Sequence, residues 1–250
     1  MIMHVTGFSR SELVLAPREV TPEELERIDD IVKRRESGEP LQYILGETEF
    51  MGLRFRVTPD TLIPRADTET LAEAAAEYIG NNRARVLDIG TGSGCIGISI
   101  AKLCCGAEVT LLDISAAALK IAEKNAEDNG VYVKLLRCDI LNEMPEGKYD
   151  VIVSNPPYIR TDVIDSLDAT VREYEPLSAL DGGGDGLMFY RRITELAPLM
   201  LANGGLLAYE IGYDQGAVVT GLLAESGFCE VKLIKDPCGN DRVVIGRLQV

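Results

Sequence analysis

The sequence predicts an α/β fold whose body is a doubly wound, mostly parallel sheet. Two observations predict it. From residue 67 onward, short apolar strands alternate with helices, and strands apolar along their whole length belong to a sheet covered on both faces. The last two strands, near 229–235 and 242–247, are joined by KDPCGND, which is too short for a crossover helix. That pair should therefore be antiparallel.

The elements follow in order. Residues 21–37 read as a helix, with Thr21 and Glu24 as a capping box, Pro22 at the first helical position and Gly38 as the stop. Leu25, Ile28, Ile31 and Val32 form its apolar stripe. ETEFMGLRFRV (47–57) reads as a hairpin turning at Met51-Gly52, with Phe50, Phe55 and Val57 inward. A helix over 67–79 should bury Leu71, Ala74, Ala75 and Tyr78. Strands 85–89, 108–113, 133–138, 149–154 and 206–211 then alternate with helices 95–103, 116–129, 186–201 and 215–226, and a long polar connection follows the strand at 149–154. Punctuation concentrates in residues 40–64. We therefore divide the chain into a small helical domain (1–45), a hairpin linker (46–64) and the α/β body (65–250).

Composition narrows the function. No apolar run approaches the roughly 18–20 residues of a membrane span, and the N-terminus lacks the apolar stretch of a signal peptide. The six cysteines form no CxxC pair, as expected of reduced thiols in a cytoplasmic protein. A single histidine, His4, argues against a His-based metal site or catalytic triad, and no metal is expected. The formal charge of −15, with no basic run longer than KRR, weighs against a long nucleic-acid partner.

DIGTGSGCIG (88–97) lies between the first strand of the body and its helix. Gly90, Gly92 and Gly94 let the backbone turn tightly and approach a ligand, at the strand ends where open α/β sheets bind. Asp113 ends the next strand, placed to accept from ribose hydroxyls; Asp139 ends the one after, placed for an adenine amino group. The spacing alone also fits a dinucleotide fingerprint through Gly92, Gly94 and Gly97, and glycines can simply pack a helix on a strand. The dense glycine pattern after Asp88 and the antiparallel end instead resemble the class I S-adenosylmethionine-dependent methyltransferases, a fold with a seven-stranded sheet. That resemblance implies that Asp88 helps hold the methionine end of the cofactor.

IVSNPPYI (152–159) ends the fourth strand of the body, where such a cofactor would present its reactive methyl. Two prolines make a stiff, extended support. An amide or exocyclic amino nitrogen is a poor nucleophile and must be held in line by acceptors facing its N–H groups. The Asn155 side-chain carbonyl and the Pro156 backbone carbonyl are two such acceptors; Pro157 stiffens the loop and Tyr158 offers an aromatic face. The plain alternative is a rigid turn after a strand.

The chain resembles the HemK/PrmC family, protein-(glutamine-N5) methyltransferases acting on class 1 peptide-chain release factors. The resemblance runs through GEPLQYILGETEF (38–50), LIPRADTE (62–69), VLDIGTGSG (86–94), VSNPPYI (153–159), EPLSALDGGGDGLMFYRRI (175–193), EIG (210–212) and DRVVIGR (241–247). It implies that Gly90, Thr91, Gly92, Ser93, Gly94, Asp113, Asp139, Ile140 and Asn155 contact S-adenosylmethionine. It places a glutamine amide of a Gly-Gly-Gln loop against Asn155, Pro156, Pro157 and Tyr158, with the N-terminal domain helping to dock the release factor. Arg65, Asp67 and Glu69 would shape the pocket floor, or Asp67 would cap its helix; Asp181 and Asp185 would order their glycine-rich loop. Ala66 replaces the usual proline, and the N-terminal domain looks shorter than the family's. The rival reading is a nucleic-acid amino-methyltransferase, which would call for a basic face; a non-catalytic cofactor-binding module is a third.

Overall fold

The structure is a computed structural model describing residues 1–15 and 19–249, so residues 16–18 of the predicted helical domain and Val250 lie outside the described residues. Among the described residues four helices come first: α1 (Ile2–Thr6), α2 (Arg10–Leu15), α3 (Pro22–Glu36) and α4 (Leu41–Leu45). The capping box forms: Glu24 N–H donates to Thr21 Oγ1 at 3.2 Å, and Thr21 N–H donates to Glu24 Oε2 at 2.9 Å. The predicted stripe is only partly used. Ile31 is buried, Ile28 and Val32 are half-buried, and Leu25 is exposed. The reason is length: α3 packs on α1 and α4, each about 7.5 Å long, too short to cover a 15-residue helix.

The hairpin pairs β1 (Glu47–Phe50) with β2 (Leu53–Arg56) and turns at Met51 and Gly52, both at positive φ, as a two-residue hairpin turn requires. Phe50, Phe55 and Val57 are buried as expected. The two phenyl rings meet edge to face at 6.1 Å and join the core of the α/β body. A 3₁₀ turn at Ala66–Thr68 leads into α5 (Glu69–Ile79). α5 buries Leu71, Ala72, Ala75 and Ile79, not Ala74 and Tyr78. Ile79 continues the row set by Leu71 and Ala75, so Tyr78 falls at the rim and donates to Gly204 O at 2.8 Å.

The sheet comprises β3 (Ala84–Ile89), β4 (Ala107–Asp113), β5 (Val133–Arg137), β6 (Tyr149–Ser154), β7 (Leu201–Glu210), β8 (Phe228–Lys235) and β9 (Asp241–Leu248), in the order β5-β4-β3-β6-β7-β9-β8. The first five are mutually parallel, and β9 runs antiparallel to both β7 and β8. The remaining helices are α6 (Cys95–Leu103), α7 (Ala116–Asp128), α8 (Ala169–Arg172), α9 (Met188–Met200) and α10 (Gly216–Glu225). Alternate strand residues feed two cores. Val86, Val151, Val153 and Ala208 face α5, α6 and α7, while Leu87, Ile152, Leu207 and Tyr209 face α9 and α10. The connection after β6 holds two 3₁₀ turns, α8 and a bridge between Ile159 and Asp181. Among the described residues, no helix is long and apolar enough to cross a membrane.

Asn125 on α7 ties the hairpin to the glycine loop. Its Oδ1 accepts from Arg56 N–H at 2.7 Å, and its Nδ2 donates to Arg56 O at 3.1 Å and Ser93 O at 2.8 Å. The side chain is fully buried, so Asn125→Ala strands three backbone polar groups away from water. Urea unfolding should show a loss of about 2–4 kcal/mol. A loss below about 0.5 kcal/mol would mean that water replaces the amide freely.

Candidate active site

Register brings the chemistry-bearing residues level. Ile89 of β3 pairs with Leu112 of β4 and Ser154 of β6, and Ser154 pairs with Tyr209 of β7. The next residues, Gly90, Asp113, Asn155 and Glu210, therefore stand in one row at the carboxyl ends of the strands. Gly90, Asp113 and Asn155 open on a cavity of about 530 Å³, a volume suited to a small-molecule ligand. The walls come from the glycine loop, Asp113 and Ile114, Cys138 to Leu141, and Ser154 to Pro157. Two segments far apart in sequence close it, around 60–65 and 176–181. Ile114 and Leu177 are apolar yet more than half exposed at this cavity, as expected of a ligand-contacting rim.

The glycines divide by task. A Cβ at Gly97 would come within 2.3 Å of Leu111 Cδ2, so Gly97 is a packing requirement. Gly92, at φ +54°, has open space where a Cβ would stand and lines the cavity. Of the residues expected at a cofactor, Gly90, Thr91, Gly92, Ser93, Asp113, Asp139, Ile140 and Asn155 line the cavity. Gly94 does not; it packs beneath the loop against Ile98, Ala122 and Leu111. Asp113 accepts from Gly92 N–H at 2.9 Å and Ser115 N–H at 2.8 Å, joining the loop to the start of α7. Burial raises its pKa against those bonds. Asp139 accepts from Leu141 N–H and Asn142 Nδ2, and Arg192 holds the Ile140 carbonyl at 3.2 Å.

Asp88 lies beneath the glycine loop. It is fully buried and off the cavity wall; its Oδ2 accepts from Thr91 Oγ1 at 2.6 Å and Gly97 N–H at 3.0 Å. It braces the loop from the α6 side, because it shares the Val86 face of β3, opposite Leu87 and Ile89. Burial pushes its carboxyl up to about 6.

Asn155, Pro156 and Pro157 line the cavity where the sequence placed them. Asn155 Nδ2 lies 3.5 Å from Thr68 Oγ1. Among the described residues, no donor is bonded to Asn155 Oδ1 or to the Pro156 carbonyl, so both acceptors are available. Tyr158 departs from expectation: it is half-buried, off the cavity wall, and packs against the core under α9. Burial and then the nearby Glu210 raise its hydroxyl to about 12. Asp181 and Asp185 do order the glycine-rich loop. Asp181 accepts from Thr161 Oγ1 and Gly183 N–H, and Asp185 from Leu187 N–H. Gly182 lets that loop lie on the 155–158 backbone; a Cβ there would meet Pro157 O at 2.8 Å.

Sequence reasoning missed four supports. Thr68 is buried beside Asn155. Gln215 Nε2 holds the Tyr158 carbonyl at 3.1 Å. Glu210 is 2% exposed with no hydrogen-bond partner for Oε2, and burial pushes it up to about 7. Arg242 lies between Asp67 at 3.3 Å and Asp236 at 3.1 Å. Asp67 is thus an ion-pair partner and not a helix cap, since Thr68 starts α5 without a side-chain cap. Arg65 pairs with the buried Glu175, and Glu69 accepts from Met51 N–H at the hairpin turn. A charge ending the apolar run LLAYE was the available signal for Glu210.

Comparison with known proteins bears directly on this arrangement. The profile of the Methyltransferase small domain matches residues 67–203, and that of the PrmC N-terminal domain matches residues 1–46. The release factor glutamine methyltransferase of Geobacter sulfurreducens is 47% identical over 229 residues, 92% of this chain and 80% of the relative. The chain belongs to the release factor glutamine methyltransferase family. The enzyme of that name from Agrobacterium fabrum is 43% identical over 255 residues, covering 99% of this chain and 88% of its own length. A methyltransferase structure from Pyrococcus furiosus shares the fold, with a TM-score of 0.58 at 20% identity, over 92% of this chain and all of that one.

Asp88 generates a test of the loop. Its carboxyl titrates near 6 when folded and near its ordinary 3.8 when unfolded, so the folded state holds the proton more tightly. That preference favours folding fully below about pH 4 and fades as pH rises to about 6. The stability of wild type relative to Asp88→Asn should fall by about 2 kcal/mol between pH 4 and 7. A difference independent of pH would place the carboxyl in an ordinary, solvated setting.

Proposed function

We propose that this protein transfers a methyl group from S-adenosylmethionine to the side-chain amide nitrogen of the glutamine in the Gly-Gly-Gln loop of class 1 peptide-chain release factors. The observation that carries this reading is a pair of available acceptors, Asn155 Oδ1 and the Pro156 carbonyl, at the edge of a nucleoside-sized cavity. Family membership supplies the substrate class, since the relatives bear that activity in their names. The acidic charge supplies no general attraction for such a partner, so recognition falls to local shape.

The residues present fit the cofactor. Gly92 leaves open space in the cavity wall, Asp113 is a carboxylate positioned for a ribose diol, and Ile114 and Ile140 are apolar surfaces of adenine size. Gly90, Thr91, Gly92, Ser93, Asp113, Asp139 and Ile140 would hold it; Gly94 and Asp88 would act by shaping the loop. Bound there, S-adenosylmethionine supplies an electrophilic sulfonium methyl and so removes any need for a strong base. The chain's own contribution is placement. Asn155 Oδ1 and the Pro156 carbonyl accept the two N–H groups of the substrate amide, fix the nitrogen lone pair toward the methyl and favour positive charge growing on nitrogen. Ser154 Oγ, donating to Ile89 O at 2.7 Å, locks the loop base to β3. The closing segments at 60–65 and 176–181 exclude water. We further propose that residues 1–45 form the docking domain and 65–250 the catalytic body, with the cytoplasm as the site of action.

The test is mass spectrometry of a purified release factor incubated with the protein and S-adenosylmethionine. One methyl should appear on the Gly-Gly-Gln peptide. Asn155→Ala should cut turnover by about 10²–10³-fold and change cofactor affinity less than about threefold. Asp113→Ala should instead weaken cofactor binding by about 10- to 100-fold in calorimetry, since a charge-assisted acceptor is lost. Equal turnover in wild type and Asn155→Ala would refute the mechanism.

A further inference from the structure

We propose that Glu210 is a positioning residue: acting through the Thr68 hydroxyl, it orients the side-chain amide of Asn155 so that the carbonyl faces the methyl-accepting nitrogen. This inference rests on the reading above and deepens it. The register of β6 and β7 places Glu210 next to Asn155, one residue beyond the Ser154–Tyr209 pair. Both side chains leave parallel neighbours at the same level and therefore share one side of the sheet. Asn155 Nδ2 is directed at Thr68 Oγ1, 3.5 Å away, and Thr68 is itself buried. A hydroxyl that accepts from Asn155 still has a proton to give. The Glu210 carboxyl takes hydrogen-bond stabilisation from both the Thr68 hydroxyl and the Asn155 amide. An ionised carboxylate only accepts, so the relay has one polarity, from Asn155 to Thr68 to Glu210. That polarity leaves Oδ1 as the group presented to substrate. An unsupported amide would choose its flip freely, and the wrong flip presents an NH2 to the substrate's own N–H groups.

The alternative is that Glu210 merely balances Arg242. The structure argues against it. Arg242 already has Asp67 at 3.3 Å and Asp236 at 3.1 Å, and its Nη1 reaches Ile211 O at 3.4 Å. A further buried carboxylate with Oε2 unpartnered is costly to keep for a charge that is already matched. The groups facing Glu210 come from every side: Asp67 and Thr68 before α5, Cys95 at the start of α6, Asn155 and Tyr158 after β6, Tyr190 on α9 and Arg242 on β9. Burial outweighs the Thr68, Arg242 and Asn155 contributions and leaves the carboxyl near 7. A protonated Glu210 has an O–H to donate, which can reverse the relay and turn the Asn155 carbonyl away.

The test uses the full chain and two readouts. In the free protein, the Asn155 side-chain amide resonances, assigned by their loss in Asn155→Ala, are followed from about pH 5 to 9. They should shift through one titration centred near 7, and become independent of pH in Glu210→Gln. In turnover of a release factor, Glu210→Gln should lose about 10- to 100-fold in kcat with KM for both substrates within about threefold. Added to Asn155→Ala, it should cost nothing further. Asn155 resonances indifferent to pH in wild type, or wild-type kcat in Glu210→Gln, would overturn the proposal. The wild-type titration and a Thr68→Val variant decide the matter should Glu210→Gln not fold: Thr68→Val should break the coupling, and intact coupling would overturn the relay. A wild-type protein that moves no methyl would refute the function proposed above, while the amide titration would still decide Glu210.

Discussion

The site depends on one constraint, the flush parallel register of β4, β3, β6 and β7. Leu112, Ile89, Ser154 and Tyr209 lie at one level, so four strands end together and four loops start together. A slip of one residue on β6 would turn Val151 and Val153 toward α9 and move Asn155 away from both the glycine loop and Glu210. Two interleaved apolar cores, one on each face, make that slip costly. The cavity is the consequence of this alignment, since the helices diverge where the strands stop.

Burial at the strand ends has an electrostatic side. Asp88, Asp113 and Glu210 are withdrawn from water, and each has its pKa raised by that burial. The chain offsets the accumulation by backbone donors at Asp88 and Asp113. Asp88 and Asp113 therefore shape the glycine loop from beneath and from the side. The loop geometry owes as much to these carboxylates as to its glycines.

The closing segments show how distant pieces are recruited. Arg65 pairs with Glu175, which lies in the connection after β6, and Tyr174 beside it donates to Ser37 O at 3.0 Å at the end of α3. One stretch thus touches the helical N-terminal segment, the strand-to-helix turn before α5 and the cavity roof. Asn125 does the same from the other side, linking hairpin to glycine loop. The N-terminal helices are thereby linked mechanically to the cavity.

The sequence by itself determined the α/β body, the antiparallel end, the capping box at Thr21, the turn at Met51-Gly52 and the loop from Asn155 to Pro157. Each of these is local: a hydrophobic period, a cap, a φ requirement, a proline. Only the tertiary structure decided that β9 lies between β7 and β8, that Tyr158 packs against the core under α9 and that Asp88 braces the loop from beneath. It also decided that Asp67 pairs with Arg242, and that Thr68, Glu210 and Gln215 stand behind the Asn155 loop. The physical reason is separation along the chain: Thr68, Asn155 and Glu210 meet only through strand order and register. A single sequence shows which residues have the chemistry, and the packing of the sheet shows which of them face one another.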